Sequence, residues 1–337
     1  MDQDHIQKIL DRITKVKIAV YGDFCLDAYW IMDRKGSEIS IETGLKTEAI
    51  SGHYYTPGGA GNVVANLCAL QPSKIKVIGV IGDDIFGREL NAQLQALSTD
   101  TDSLFVQKNS FNTYTYLKRL VDGKEEPRVD FGISNERSRE TDQKILNAID
   151  AALQECDALI FNQQVTGSIT NESFVMGVNQ LFEKYSHKII LLDSRHFNHR
   201  FQHTCLKAND REIALLSDID ISTTKNIPAD DIRKYGQAIF NKSGKPVFVT
   251  CGEQGIIAFD ASGQHEIPAI QLQGELDTVG AGDTVTSAVT LCLAAGVSVH
   301  DAARFANLAA AVTVQKLYTT GTATGEEIME ISARYRP

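Results

Sequence analysis

The stretch Glu275–Gly296, "ELDTVGAGDTVTSAVTLCLAAG", passes from polar and glycine residues into a long run of small and apolar ones. Gly280 and Gly282, with Ala281 between them, can take backbone angles closed to other residues, so successive N–H groups can curl there into an anion-binding nest. A helix starting at this point adds its positive end to the same spot. Asp283 follows immediately, and a carboxylate beside an anion is repelled unless chemistry uses it. Alone, Asp283 is open to two readings. It is an ordinary N-cap after a glycine-rich turn, or it takes a proton from a hydroxyl while the nest stabilises a migrating phosphoryl group.

Around this stretch the chain alternates. Short β-branched runs at Val16, Ile75, Ala158, Lys188 and Pro246 read as buried strands. Between them, Asn62–Leu70, Asp84–Leu97, Thr141–Leu153, Glu172–Tyr185 and Asp230–Phe240 space their apolar residues as amphipathic helices do. Such alternation predicts a mostly parallel sheet with helices on both faces, a layered α/β/α fold. Two segments break the rhythm, about 28–56 and 112–131, and "TYTYLKRLVDGKEEPRVDF" carries the Asp-Gly signal of a hairpin. They read as a small projecting sheet, either a lid over the carboxyl ends of the main strands or a plain edge hairpin. With no internal repeat and no linker, residues 1–337 are expected to form one domain.

Composition narrows the partners. The 337 residues are 43% hydrophobic and 23% charged, with a net charge of -10, which disfavours duplex nucleic acid or an anionic membrane as the main partner. The N-terminus is charged and amphipathic rather than a signal peptide, and nowhere do eighteen apolar residues run together, so a cytoplasmic protein is expected. The six cysteines are scattered, without zinc-finger or CxxC spacing, and read as mostly buried and reduced. "RHFNHRFQH" spaces His196, His199 and His203 to share a helix face, yet the spacing brings no acid or orienting partner. They are read as surface imidazoles, with no metal.

A second glycine cluster, "TPGGAGNVVANLCALQP" from Thr56, also leads into a helix. Neither cluster fits the dinucleotide fingerprint, and no GxxxxGK[ST] occurs. Gly58 and Gly59 allow close approach either of a ligand or of helix to sheet, and the amide of Asn62 can both donate and accept, as sugar hydroxyls require. Near the first strand, "YGDFCLD" sets Asp23 and Asp27 four residues apart, suited to vicinal hydroxyls or to capping a loop.

Together, "DTVGAGD" (Asp277 to Asp283) and "GGAGNVVANLCAL" (Gly58 to Leu70) resemble the two signatures of the ribokinase-like, or PfkB, carbohydrate kinases. "VTCGEQG" from Val249, "KANDREI" from Lys207 and "FANLAAAVTVQKLYTTG" from Phe305 are similar to further family elements, so the resemblance covers nearly the whole chain. It implies a ribokinase-like three-layer sandwich with a small β-sheet lid, using ATP and Mg²⁺. By the same resemblance Asp283 is the catalytic base and Gly280, Ala281 and Gly282 form the anion hole. Asn209 and Glu212 organise Mg²⁺ largely through water. Thr250, Gly252 and Gly255 line the nucleotide, with Asn307 near its base. Asp23, Asp27, Gly58, Gly59 and Asn62 hold the acceptor, a sugar or sugar phosphate, and the lid doubles as a homodimer interface.

"VYGDFCLDAYW" and "TPGGAGNVVANL" are most similar to heptose 7-phosphate kinases within the family. Where those typically carry Asp-Tyr-Gly-Lys-Gly after a central strand, this chain reads "NQQVTG", with Gln163, Gln164 and Thr166 replacing acid, aromatic and lysine. A second phosphate on the acceptor wants a cation. Lys118, Arg119 and Arg128 in the lid segment are candidates, though each by itself reads first as a solvated strand charge. Another sugar or a nucleoside is an alternative acceptor, and a non-catalytic sugar- or nucleotide-binding relative is a further alternative. No nucleotidyltransferase domain follows, so a fused bifunctional form is not expected.

Overall fold

The β-branched runs line up in the middle of a nine-stranded sheet in the computed structural model, which describes residues 1–169, 171–217, 227–317 and 319–335. Across the sheet the order is Gly263–Ile267, Ile256–Asp260, Val247–Thr250, Cys205–Asn209, Ile189–Ser194, Ala158–Gln163, Lys17–Gly22, Lys74–Gly82 and Asp100–Gln107. Seven strands pair in parallel, while Ile256–Asp260 and Gly263–Ile267 close one edge antiparallel. The central strands lack polar alternation because both faces are covered; Ala158–Gln163 is buried at every position.

Alternate residues of these strands feed two cores. Ile18 and Val20 join one apolar cluster with the helices Gln3–Ile13, Ala60–Leu70, Ala281–Ala294 and Val299–Thr313. Ala19 and Tyr21 join the other, with the helices Arg139–Glu155, Glu172–Lys184 and Ala229–Ser243. This is the expected three-layer arrangement. Each large aliphatic side chain so buried contributes about 1.5–3 kcal/mol before chain entropy is counted.

The helix Ala281–Ala294 is buried at every position from Thr284 to Leu293. A helix apolar all round belongs inside a protein, and its hydroxyls survive burial by finding partners. Thr284 donates to Asn66 Oδ1 at 2.7 Å, Thr286 to Asp193 Oδ2 at 2.6 Å and Ser287 to the Val63 carbonyl at 3.0 Å. These bonds lash the helix to Ala60–Leu70 and to the sheet.

The two rhythm-breaking segments meet in a second sheet. Ala49–Gly59 pairs antiparallel with Phe24–Asp33, which pairs parallel with Tyr114–Val121; Lys124–Glu125 and Val129–Phe131 flank the last. Asp122 and Gly123 both have positive φ (50° and 76°), the type I′ turn that "DG" signals. The sheet is longer than expected at its root. Phe24–Asp33 begins two residues after the first main-sheet strand, and Ala49–Gly59 runs directly into the helix at Ala60, so Asp27 and Gly58 are themselves on lid strands.

Candidate active site

The two glycine-rich turns, over two hundred residues apart in the chain, meet at the carboxyl end of the main sheet. Gly280 has φ 83° and Gly59 φ 54°, both left-handed, and each turns the chain into a helix. Asn66 and Thr284, within the first two turns of their helices, join them directly. Asn62 lies near enough to Asp283 to help pull its carboxyl down, which brings the two motifs to one carboxylate.

Asp283 has no cap role: the helix Ala281–Ala294 starts at Gly280 without a side-chain cap bond. Burial pushes its carboxyl up to about 7, and the nearby Asp193 charge adds to the rise, while Lys207, Arg195 and Asn62 pull it back. A carboxylate poised near neutrality suits a general base.

Beneath the nest lies a cation to which the sequence reading gave no role. Lys207, on the strand Cys205–Asn209, is buried, and its Nζ sits 3.2 Å from Asp193 Oδ2. A Cβ built on Gly282 would approach that Nζ to 3.1 Å, so the ammonium lies directly against the nest. Asp193 also accepts from Thr286 Oγ1, which fixes the pair to the first turns of the helix bearing Asp283. The signal was present in "KANDRE", since a lysine in a strand otherwise buried needs an acidic partner.

Behind the nest opens a cleft of about 690 Å³ lined by Lys207, Asn209, Thr250, Gly252, Gly255, Ala281, Gly282 and Asn307. All of these but Lys207 were expected from the sequence, at the nucleotide, at Mg²⁺ or in the anion hole. Ile256, Ile270, Leu272 and Val314 supply an apolar wall of the kind a purine base packs on. Gly255 is a turn glycine, φ 97°, where a Cβ would stand 2.1 Å from the Ile267 carbonyl. Asn307 donates its amide to the Pro268 carbonyl at 2.9 Å, so it ties down the loop forming that wall.

Asn209 and Glu212 form a capping box on the helix Asp210–Leu216: Asn209 Oδ1 accepts from the Glu212 N–H, and Glu212 Oε2 accepts from the Asn209 N–H, both at 2.8 Å. Their geometry is therefore set by the fold. Burial raises the Glu212 carboxyl, and Lys207 opposes the rise. Neither residue is placed to enclose an ion alone, and among the described residues no group of three His, Cys, Asp or Glu can hold one. Asn209 lines this cleft and Glu212 a smaller one, and two such oxygen-bearing side chains do fit a hydrated Mg²⁺, which keeps much of its water.

Towards the lid the two early carboxylates part company. Asp23 Oδ2 accepts from the Gln164 N–H, the Val165 N–H and Ser168 Oγ at 2.8, 2.8 and 2.9 Å, clamping the loop after the strand Ala158–Gln163. Asp27 is the carboxylate that faces the lid. It lies 3.6 Å from Lys118 Nζ, and its Oδ2 is 3.1 Å from where a Cβ on Gly58 would sit. Gly59 has no room: a Cβ there would stand 2.4 Å from the Asp23 carbonyl. The three candidate lid cations are each partnered, Lys118 with Asp27, Arg119 with Glu48 and Glu126, and Arg128 with Asp130.

The three histidines share no helix. Asn198–Arg200 is a single 3-10 turn and His203 has φ 60°, so the spacing of three and four does not stack the rings. Of the six cysteines, none is disulfide-bonded; Cys68 and Cys251 are half-buried and the rest buried. Among the described residues no helix is long and apolar enough to cross a membrane.

Comparison with known proteins agrees with this geometry. The chain is 29% identical over 315 residues to the bifunctional protein HldE of Desulfatibacillum aliphaticivorans, covering 92% of this chain and 61% of that one. It is 30% identical over 320 residues to the HldE of Helicobacter hepaticus, covering 93% and 63%. The chain thus spans less than two thirds of the length of these relatives. In fold it matches phosphofructokinase-2 from Escherichia coli, solved in complex with potassium, at TM-score 0.73 and 20% identity over 95% of this chain and 99% of that one. Ribokinase from Thermotoga maritima matches at TM-score 0.69 and 18% identity over 94% and 99%. A model of the pfkB family carbohydrate kinases matches residues 15–324. With the ribokinase-like sheet, the glycine nest and the carboxylate behind it in place, the chain belongs to the pfkB family of carbohydrate kinases.

Proposed function

We propose that the protein uses ATP with Mg²⁺ to phosphorylate a hydroxyl of a sugar or sugar phosphate. The observation that carries this is Asp283: a carboxylate held near neutrality by burial and set beside a glycine nest with Lys207 against it. Asp283 accepts the hydroxyl proton. The N–H groups of Gly280, Ala281 and Gly282, with Lys207, stabilise the charge on the phosphoryl group in transit. Thr250, Gly252 and Gly255 line the nucleotide, and Asn307 holds the wall beside its base. Asn209 and Glu212 would hold Mg²⁺ through water, and the ion would supply neutralising charge for the triphosphate. Asp27, Gly58 and Asn62 hold the acceptor, while Asp23 and Gly59 shape its floor.

A heptose 7-phosphate is the favoured acceptor, supported by "VYGDFCLDAYW" and by the HldE relatives. The lid exposes Ile31, Ile50 and Val129, which favours a homodimer through that sheet. Dependence on ATP places the work in the cytoplasm, and residues 1–337 act as one kinase domain. The test is ADP release from Mg-ATP across sugars, sugar phosphates including a heptose 7-phosphate, and nucleosides. At least one sugar is expected well above the acceptor-free blank; none above it refutes the enzyme reading.

A further inference from the structure

The loop 162–167 is uncharged, yet it is stitched to a neighbour that carries a cation. Gln163 Oε1 accepts from Ser194 Oγ at 2.7 Å and from the His196 N–H at 3.2 Å, and the Gln163 carbonyl accepts from the Arg195 N–H at 2.9 Å. Thr166 Oγ1 lies 3.0 Å from His196 Nε2. The Arg195 backbone is thereby held on both sides. Two residues before it, Asp193 is anchored to Lys207 and Thr286.

The Arg195 side chain is different. It is exposed, and among the described residues its guanidinium has no hydrogen-bond or ion-pair partner. It lines a cleft of about 290 Å³ together with His196 and Glu212, beside the cleft assigned to the nucleotide. An arginine on a fixed backbone with a free head, in a protein of net charge -10, is a ready ligand for phosphate oxygens. It shares its cleft with Glu212, whose capping-box partner Asn209 lines the cleft assigned to the nucleotide, so its head stands at the border of the two.

We infer that Arg195 is a further catalytic residue, whose guanidinium closes on the phosphoryl group as it passes from nucleotide to acceptor. The inference rests on the kinase reading above. As the acceptor oxygen–phosphorus bond forms, the bond from phosphorus to the β–γ bridging oxygen breaks. Its electron pair leaves on ADP, and the hydroxyl proton goes to Asp283. The charge on the three remaining phosphoryl oxygens is met by Lys207 and the nest from one side and by Arg195 from the other.

The test compares the parent with Arg195→Gln and Arg195→Lys. Calorimetry reads the affinities for ADP and for a non-hydrolysable ATP analogue in the presence of Mg²⁺, and ADP release reads turnover. In Arg195→Gln the analogue is expected to bind about 10-fold more weakly with ADP within about twofold, and kcat to fall about 100-fold with little change in acceptor KM. Arg195→Lys recovers part of both, and all three proteins melt together because the side chain is exposed. Unchanged analogue binding and turnover overturn the inference. So does a loss confined to the KM of phosphorylated acceptors, which assigns the guanidinium to the acceptor's own phosphate. A parent that binds the analogue but turns over no acceptor sinks the kinase reading, while the binding comparison still decides Arg195.

Discussion

The turns at Gly58–Gly61 and at Gly280–Gly282 look alike in sequence, and each delivers the chain into a buried helix. Their glycines do different work. At the first turn the missing side chains make room for protein: a Cβ on Gly59 would stand 2.4 Å from the Asp23 carbonyl, and one on Gly61 2.7 Å from Pro57 Cβ. At the second, Gly282 faces an ammonium rather than a backbone, 3.1 Å from Lys207 Nζ, and borders the nucleotide cleft. One turn shapes the joint between lid and body. The other, on the proposed reading, exposes amides and a cation to a phosphate.

The contrast breaks most easily at the second turn. Lys207→Met removes the cation and strands the buried Asp193 carboxylate, so turnover should fall about 100-fold and unfolding free energy by about 3 kcal/mol. Steady-state kinetics and urea unfolding check both, and a variant with normal turnover would leave the nest as backbone geometry alone.

Matched alanine substitutions sharpen the comparison. Gly282→Ala adds a methyl against a flexible ammonium inside a helix, so stability should hold within about 1 kcal/mol while turnover drops about 10-fold. Gly59→Ala meets a backbone carbonyl at left-handed φ and should cost about 2–4 kcal/mol of stability, with turnover per folded molecule little changed. Reversed outcomes would mean that the two turns have been assigned the wrong way round. The smallest effect belongs to the lid: Lys118→Met frees Asp27 from its partner and should raise acceptor KM about 5-fold with nucleotide KM unmoved. An equal change in both KM values would place Lys118 outside the acceptor site.

Much of the body was readable before any coordinates. The five β-branched runs are strands because the sheet is covered on both faces, and all five amphipathic segments are helices, longer or shorter by a residue or two at most ends. Asp100–Gln107 was missed because this edge strand reads "DTDSLFVQ", half-exposed and polar at its start. Cys205–Asn209 was missed for its brevity. At the site, the motifs picked out Asp283, the nest and several of the residues that line the larger cleft. They were silent on pairings set by sheet register, which puts Asp193 beside Lys207 and aligns Tyr29 with Lys118. The division of labour between Asp23 and Asp27 was equally hidden, because it depends on a loop 140 residues away folding back onto Asp23.

The central claim is that Asp283 is the base, and the pH dependence of kcat/KM tests it most directly in the parent and in Asp283→Asn. A base must be ionised to accept a proton, and burial lifts this carboxyl to about 7. The parent rate should therefore climb about tenfold per pH unit on the acid side and level off above a limb near pH 7. Asp283→Asn should bind ADP as the parent does, run at least about 100-fold slower and lose that limb. Near-parent turnover with the limb intact would contradict the account, because the proton would then be leaving by another route.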